Sequence, residues 1–143
     1  ANHVTRVAEV CYCLAKQSGM DERTAELLRL GSPMHDVGKI GVPEAILHKP
    51  GQLTPEEFEI IKQHAQTGYE ILRKSNRSIM TTAAIVALQH HERWDGTGYP
   101  RQIGATEVPL SGRICAVADV FDALTSERVY KKAWTQKMKQ FIR

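Results

Sequence analysis

The sequence predicts an all-α domain, and three observations support this fold class. Apolar residues recur at helical spacing through most of the chain, as in Val4, Val7, Ala8 and Cys11. The segment Thr54-Pro55-Glu56-Glu57 carries a capping threonine, a proline for the first turn and a glutamate that completes a capping box. No stretch alternates apolar and polar residues as a strand would. The length of 143 residues fits one domain around one hydrophobic core.

The helices follow one another along the chain with recognisable start and stop signals. The first begins without a capping residue, and Gly19 ends it. Asp21 caps the second, which stops near Pro33 because proline has no N–H group to donate. The predicted helices cover residues 3–18, 21–30, 54–74, 79–91 and 111–124, and a last one starts near residue 135.

Two segments rich in glycine and proline are predicted to be loops. Residues 38–53 form the first, with a short turn over residues 44–47. Residues 95–109 form the second, and a loop of this length inside a compact domain is often functional.

Composition is typical of a globular protein and excludes several classes of function. The apolar fraction is 42%, the charged fraction is 24%, and no apolar run is long enough for a membrane span. A formal net charge of +3 without a long basic run suits a small phosphate-bearing ligand and does not indicate a nucleic-acid polymer as partner. Cys11, Cys13 and Cys115 form no zinc pattern, so we expect free thiols in a reducing cytoplasm.

Imidazole and carboxylate groups occur at several points where they could bind divalent metals. His35 and Asp36 are adjacent, and Gly38 lets the backbone turn closely around them. Asp119 lies among apolar residues, where a carboxylate is costly to bury without a partner. The other candidates are His3, His64, His90 and His91. This set exceeds what one tetrahedral ion needs, and it indicates two ions that share Asp36 and could activate water against a phosphoryl group.

Each of these residues also has an ordinary structural interpretation. A single histidine on an apolar helix face is more often a core or surface residue than a metal ligand. We expect His48 to be solvent-exposed in its loop, and Asp122 to be solvated or to serve the end of its helix. Trp94 and Asp95 are expected to anchor the second loop rather than to perform chemistry.

Four segments, taken in order, resemble the HD-GYP domain, a subgroup of the HD phosphohydrolase superfamily. The segment that ends in Gly98-Tyr99-Pro100 is the most specific of them. The matching segments are residues 35–41 (HDVGKIG), 49–54 (KPGQLT), 90–100 (HHERWDGTGYP) and 116–126 (AVADVFDALTS).

The resemblance implies an HD-domain helical bundle of about seven helices, the terminal ones truncated here, with a site for two or three divalent ions, iron or manganese. It implies hydrolysis of cyclic di-GMP to the linear dinucleotide and/or GMP. The glutamate that ligates a third ion in some family members would fall before Ala1. Carried over by position, the metal ligands are His3, His35, Asp36, His64, His90, His91 and Asp119.

The same resemblance assigns further roles. Asp36 and Lys39 would be catalytic, and Lys39, Arg128 and Lys131 would bind the substrate. The loop residues Gly98, Tyr99 and Pro100 would either cover the site, dock partners such as diguanylate cyclase domains, or merely pack over the bundle.

Alternatives to a cyclic di-GMP phosphodiesterase are a non-catalytic module that binds the dinucleotide or a partner protein, and an HD-type phosphohydrolase of another nucleotide. We expect residues 1–143 to be one domain of a longer cytoplasmic protein, with an upstream sensory or receiver domain and a membrane tether left open. A dimer is also left open.

Overall fold

The computed structural model describes residues 2–126 of the chain, and these residues form an all-α bundle, as predicted. Arg128, Lys131 and the helix expected near Thr135 lie outside the described residues. None of the helices between residues 2 and 126 combines the length and apolar content needed to cross a membrane. The α-helices are α1 (His3–Gln17), α2 (Glu22–Gly31), α3 (Glu44–Leu47), α4 (Pro55–Leu72), α5 (Ser78–Gln89) and α6 (Leu110–Thr125).

Three helices begin at a side-chain cap, and one of these caps contradicts the sequence prediction. Asn2 accepts a hydrogen bond from the Thr5 N–H, so α1 does have an initiating cap. The prediction was wrong because it did not consider Asn2, the second residue of the sequence, as a cap. Asp21 caps α2 and Thr54 caps α4 through the complete capping box, as predicted.

The core lies between α1, α2, α5 and α6, which pack against one another in neighbouring pairs. Val7 on α1 and Leu28 on α2 are at most 1% exposed, and burial of a side chain of this kind contributes roughly 1.5–3 kcal/mol. Cys11 and Cys115 are buried in this core and Cys13 is exposed, and all three thiols are free, as expected. A second cluster, around Leu72, joins α4 to α5.

The segment between α2 and α4 contains two 3₁₀ helices that place the His35–Asp36 pair. The first covers Ser32–Met34, and Pro33 stands in its first turn. The second covers Val37–Gly41 and packs against α4. This segment was predicted as an interruption followed by a loop, and the short helical turns arise because each closes on an i to i+3 hydrogen bond such as Lys39 N–H to Asp36 O.

Candidate metal centre

Seven imidazole and carboxylate side chains meet at one end of the bundle in two adjacent clusters. In each cluster one ligand atom from every residue lies within 4.8 Å of the others, a spacing at which the group could hold a metal ion. The inner cluster consists of Asp36, His64, His90 and His91. The outer cluster consists of His3, His35 and Asp119. These are the seven residues named from the sequence.

Asp36 lies between the two clusters and turns one oxygen toward each. Its Oδ1 is 3.4 Å from His64 Nε2 and 3.6 Å from His90 Nε2. Its Oδ2 is 3.5 Å from His35 Nε2, which is itself 3.8 Å from Asp119 Oδ1. A single carboxylate therefore faces two sets of possible ligands, the arrangement in which a carboxylate can bridge two ions.

Backbone carbonyls fix the tautomer of three of the histidines. The Nδ1–H of His35 donates to Ser32 O at 2.8 Å, and that of His64 donates to Ile61 O at 2.6 Å. His90 Nδ1–H donates to Ala87 O at 3.0 Å. Because a carbonyl can only accept, each Nδ1 carries the proton, and each Nε2 presents its lone pair to the centre.

The atoms that face the centre are acceptors without donors, and this arrangement fits a bound cation. His64 Nε2 and His90 Nε2 lie 3.4 Å apart although both present lone pairs. His35 Nε2 and Asp36 Oδ1 are buried and make no hydrogen bond. Unpaired buried acceptors are costly, and a divalent ion between them would satisfy them all.

Burial favours the protonation states that metal ligation requires. It lowers the pKa of His35 and of His64, and it lowers the pKa of His91 to about 2, so these imidazoles are neutral at physiological pH. Burial alone would raise the pKa of Asp36, but the neighbouring imidazoles of His90 and His35 and the ammonium group of Lys39 together hold it well below its ordinary value.

A close backbone contact sets the position of this carboxylate. A Cβ at Gly38 would overlap the backbone carbonyl of His64, and Gly38 N lies 3.3 Å from the Cβ position of Gly68. The 3₁₀ turn after Asp36 can therefore rest directly on α4, next to His64, only because position 38 has no side chain. This confirms the tight approach expected from the glycine.

Lys39 is the cation closest to the shared carboxylate. Its Nζ lies 2.6 Å from Asp36 Oδ2, the oxygen that faces the outer cluster. The lysine side chain is 39% exposed, so its ammonium group also reaches the open side of the centre. It can therefore contact an anion that approaches the two clusters.

The outer cluster joins the first turn of α1 to α6. His3 Nε2 lies 3.3 Å from Asp119 Oδ1. His3 Nδ1 lies 2.7 Å from Asp122 Oδ2, and Arg6 donates to both oxygens of Asp122. The hydrogen bond from Arg6 is the main cause that lowers the pKa of Asp122 to about 2, so this carboxylate is an anion.

The prediction of a solvated Asp122 was wrong, whereas the residue does contact the end of its helix through Ser126. The residue is 4% exposed rather than solvated, and it contacts two residues of α1. The missed signal was the spacing of three residues between Asp119 and Asp122, which places both carboxylates on one helix face. The same spacing relates His3 and Arg6 on α1, so the two pairs face each other.

The loop around Tyr99 lies over the edge of the inner cluster. The Tyr99 ring stacks on His91 with centroids 4.6 Å apart, and Phe58 of α4 contacts it edge-on. Burial raises the pKa of the Tyr99 phenol to about 12. Gly98 fits only without a side chain, since a Cβ there would lie 2.5 Å from Arg93 N. The loop packs on the bundle and also contacts a cluster residue.

The other loop predictions have mixed outcomes. Asp95 accepts hydrogen bonds from the Thr97 N–H and hydroxyl, so it does anchor the loop. The Trp94 residue is 64% exposed, its backbone carbonyl accepts a hydrogen bond from the Ala105 N–H, and its ring lies 5.6 Å from the guanidinium of Arg113. Sequence analysis missed Glu92, which is buried and accepts a hydrogen bond from Arg101 N–H at 2.6 Å. His48 is exposed, as predicted.

Comparison with known proteins places this arrangement in a family. The chain is 48% identical over 135 residues, 94% of its length and 26% of the relative's, to 3′3′-cGAMP-specific phosphodiesterase 2 of Vibrio cholerae. It is 52% identical over 129 residues, 90% of its length and 35% of the relative's, to a cyclic di-GMP phosphodiesterase of Thermotoga maritima. The cyclic di-GMP phosphodiesterase response regulator RpfG of Xanthomonas campestris is 45% identical over 130 residues, 91% of this chain and 34% of that protein.

The chain thus spans about a quarter to a third of the length of these curated relatives. A family profile described as "HD domain" matches residues 1–140, nearly the whole sequence. In the histidine–aspartate pair at positions 35 and 36, His35 belongs to the outer cluster and Asp36 faces both clusters. The chain belongs to the HD domain family.

Proposed function

We propose that this chain is the catalytic domain of a metal-dependent phosphodiesterase that hydrolyses cyclic di-GMP to the linear dinucleotide and/or GMP. The observation that carries the proposal is the position of Asp36, whose two oxygens face two separate clusters of acceptor atoms. The names of several relatives, which include cyclic di-GMP phosphodiesterases at 45–52% identity, support the choice of substrate.

In this proposal the seven clustered residues hold two divalent ions, one for each cluster. Asp36, His64, His90 and His91 would hold the inner ion, and His3, His35 and Asp119 would hold the outer ion, with Asp36 available to both. Mixed imidazole and carboxylate ligands suit iron and manganese. Such a pair of ions, when bound, supplies a water activated for attack and stabilises charge on the phosphoryl group.

Lys39 would bind the scissile phosphate. Its ammonium group lies beside Asp36 Oδ2 and reaches the open side of the centre, where it would contact a phosphoryl oxygen. Water then adds across one P–O3′ bond, which leaves a 5′-phosphate and a free 3′-hydroxyl on the linear product. Arg128 and Lys131, assigned from the family resemblance, would hold the other phosphate and the bases.

The loop of Gly98, Tyr99 and Pro100 would shield the inner cluster from bulk water. The stacking of Tyr99 on His91 supports this role, because the ring covers one face of a proposed ligand. A phenol with a pKa of about 12 stays protonated through the physiological range, so Tyr99 would act by contact and hydrogen bonding and not as a base. The outer surface of the loop would be available to partners such as diguanylate cyclase domains.

A second substrate deserves a direct comparison, because three relatives are named 3′3′-cGAMP-specific phosphodiesterases. The two dinucleotides share the phosphodiester ring and differ in one base. The metal clusters contact the phosphate and would act on either, so discrimination would depend on residues that contact the base. The intact ligand set argues for an enzyme over a receptor that binds without cleavage.

The whole protein would be longer than this chain and would work in the cytoplasm. The matched relatives are about two and a half to three and a half times as long, and one of them is named a response regulator. An upstream receiver or sensory domain, with a possible tether to the membrane, would then control this domain.

The deciding experiment combines metal analysis with product identification. Protein purified without oxygen should contain about two equivalents of iron or manganese and convert cyclic di-GMP to a linear product. Asp36→Ala should lose both ions. Its turnover should fall at least as far as when one preorganised electrostatic group is removed from an active site, which is about 10²–10³-fold. His48→Ala removes an exposed histidine outside both clusters and should behave as wild type. Normal turnover by folded Asp36→Ala, or a wild-type protein that binds cyclic di-GMP without cleaving it, would contradict the proposal.

A further inference from the structure

Asp122 is a buried carboxylate for which the proposed reaction has no role. It is 4% exposed on α6, one helical turn after Asp119. Its Oδ2 lies 2.7 Å from His3 Nδ1, and its Oδ1 accepts hydrogen bonds from Arg6 Nε and from Ser126 Oγ. Arg6 Nη2 also donates to Oδ2 at 3.1 Å. Both oxygens are thus occupied by protein donors.

This occupancy argues against Asp122 as a metal ligand. The groups of ligand atoms close enough to share an ion include Asp119 and His3 but not Asp122, within the residues that the structure describes. The guanidinium of Arg6 neutralises the carboxylate in a two-point ion pair, a stable arrangement that an ion would have to disrupt. Asp122 therefore acts on the outer cluster through another residue.

That residue is His3. An anionic carboxylate can only accept, so the short contact requires that His3 Nδ1 carry the proton. The unprotonated Nε2 then points toward Asp119 Oδ1, 3.3 Å away. His35, His64 and His90 reach the same tautomer through backbone carbonyls, which no substitution removes. Among these four histidines, only His3 depends on a side chain for its tautomer.

We infer that Asp122 is a positioning residue that sets the Nδ1–H tautomer of His3 and so makes the outer cluster able to bind its ion. The inference rests on the proposed function only in taking His3 as a metal ligand. The ion pair between Arg6 and Asp122 joins α1 to α6 and contributes to stability, whereas the contact with His3 is a separate hydrogen bond. Partners of this kind orient metal-binding histidines in general, and their loss lowers metal affinity by about 10–100-fold.

Asp122→Asn is the sharpest variant, because it changes one atom. Arg6 donates to both carboxylate oxygens, and its shorter hydrogen bond is the one from Nε to Oδ1. The amide oxygen would therefore keep the Oδ1 position, and the NH₂ would face His3 and lose the longer contact with Arg6 Nη2. The NH₂ donates to Nδ1, which moves the imidazole proton to Nε2 and blocks its lone pair. We expect the second Mn²⁺ to bind about 10–100-fold more weakly and the first Mn²⁺ to bind as in wild type.

The tautomer is read directly by ¹⁵N NMR of histidine-labelled, metal-free protein, at a pH where the imidazoles are neutral. His3 signals are assigned by their loss in His3→Ala. Wild type should show His3 protonated at Nδ1, and Asp122→Asn should show it protonated at Nε2. A wild-type His3 protonated at Nε2 overturns the inference, even if Asp122→Asn does not fold.

Arg6→Gln is the matched control for a merely structural role. It removes the ion pair but leaves Asp122 free to accept from His3, so stability should fall while the tautomer and the second Mn²⁺ affinity persist. Equal losses of affinity in both variants, with an unchanged tautomer, would overturn the inference. These measurements use no substrate, so a protein that meets them but cleaves no cyclic dinucleotide would lose the proposed function and keep this inference.

Discussion

The inner and outer clusters use the same ligand types but are held in different ways. His64 and His90 are at most 3% exposed, and backbone carbonyls of α4 and α5 orient them. His3 and Asp119 have side chains that are 32% and 22% exposed, and His3 stands in the first turn of α1. Backbone carbonyls thus orient two histidines of the inner cluster, whereas in the outer cluster they orient only His35, and His3 depends on the side chain of Asp122. We therefore expect the inner cluster to bind its ion first and more tightly.

The largest effect is expected when a histidine ligand is removed, in one variant from the inner cluster and in another from the outer cluster. Loss of a residue that hydrogen-bonds to a metal ligand lowers metal affinity by about 10–100-fold. His64→Ala removes a ligand itself, so it should weaken the tighter Mn²⁺ site by more than this. His3→Ala should leave that site intact and abolish the weaker one. Calorimetric titration with Mn²⁺ measures both, and His48→Ala serves as the control. Equal weakening of both sites by each variant would mean that the clusters do not bind separately.

A second test moves the inner cluster without touching a ligand. Gly38→Ala would drive a methyl group into the backbone of α4 at His64, and such overpacking costs typically about 1–3 kcal/mol and occasionally more. Gly41→Ala is the matched control in the same 3₁₀ turn, since its methyl group would meet only the Thr67 side chain, at 3.2 Å. Its free energy of unfolding should stay within about 1 kcal/mol of wild type. Urea unfolding measures both, and similar losses would contradict the contact described here.

The outer cluster can be probed by acid in metal-free protein. The pKa of Asp122 is about 2 in the folded chain and about 3.9 in an unfolded one, so the folded state favours the anion. Its contribution is therefore complete above about pH 4 and is lost as the pH falls toward 2. The free energy of unfolding of Asp122→Asn should lie below that of wild type at pH 6 and approach it at pH 2. A constant difference between the two proteins across this range would contradict the prediction.

The smallest effect concerns the ring that covers the inner cluster. Tyr99→Phe keeps the stacking on His91, so its stability should match wild type, whereas Tyr99→Ala should lose about 0.5–1.5 kcal/mol for the aromatic pair in addition to its buried area. Because the phenol pKa is about 12, wild type and Tyr99→Phe should share one pH–rate profile between pH 7 and 10. A step present only in wild type would show that the hydroxyl titrates in the reaction.

The residues around Asp36 were the part of the site that the sequence predicted best. His35-Asp36 and His90-His91 are adjacent pairs within the segments that resemble the family. His64 lies on α4, the helix whose start is marked by a strong capping box. Each of these signals is a short run of neighbouring residues, so it can be recognised without knowledge of the fold. The resemblance to HD-GYP domains then supplied the grouping that spacing alone could not.

The supports of the outer cluster could not be predicted in the same way. Arg6 and Asp122 lie 116 positions apart, and only the packing of α1 against α6 makes them partners. Read singly, Asp122 near the end of an amphipathic helix is an ordinary solvated acid. Asn2 was missed for a related reason, since a cap at the second residue of a sequence leaves no preceding pattern to mark it.

The contact at Gly38 has a consequence for genetics. A side chain at this position would be opposed by the peptide backbone at His64, which every residue type shares. No second-site exchange of a neighbouring side chain can remove that obstacle, so a screen for suppressors of Gly38→Ala should return only true revertants. Gly41→Val would be opposed by the methyl group of Thr67 and should yield suppressors at codon 67. The two alleles would therefore distinguish a steric clash with backbone atoms from a steric clash with a side chain.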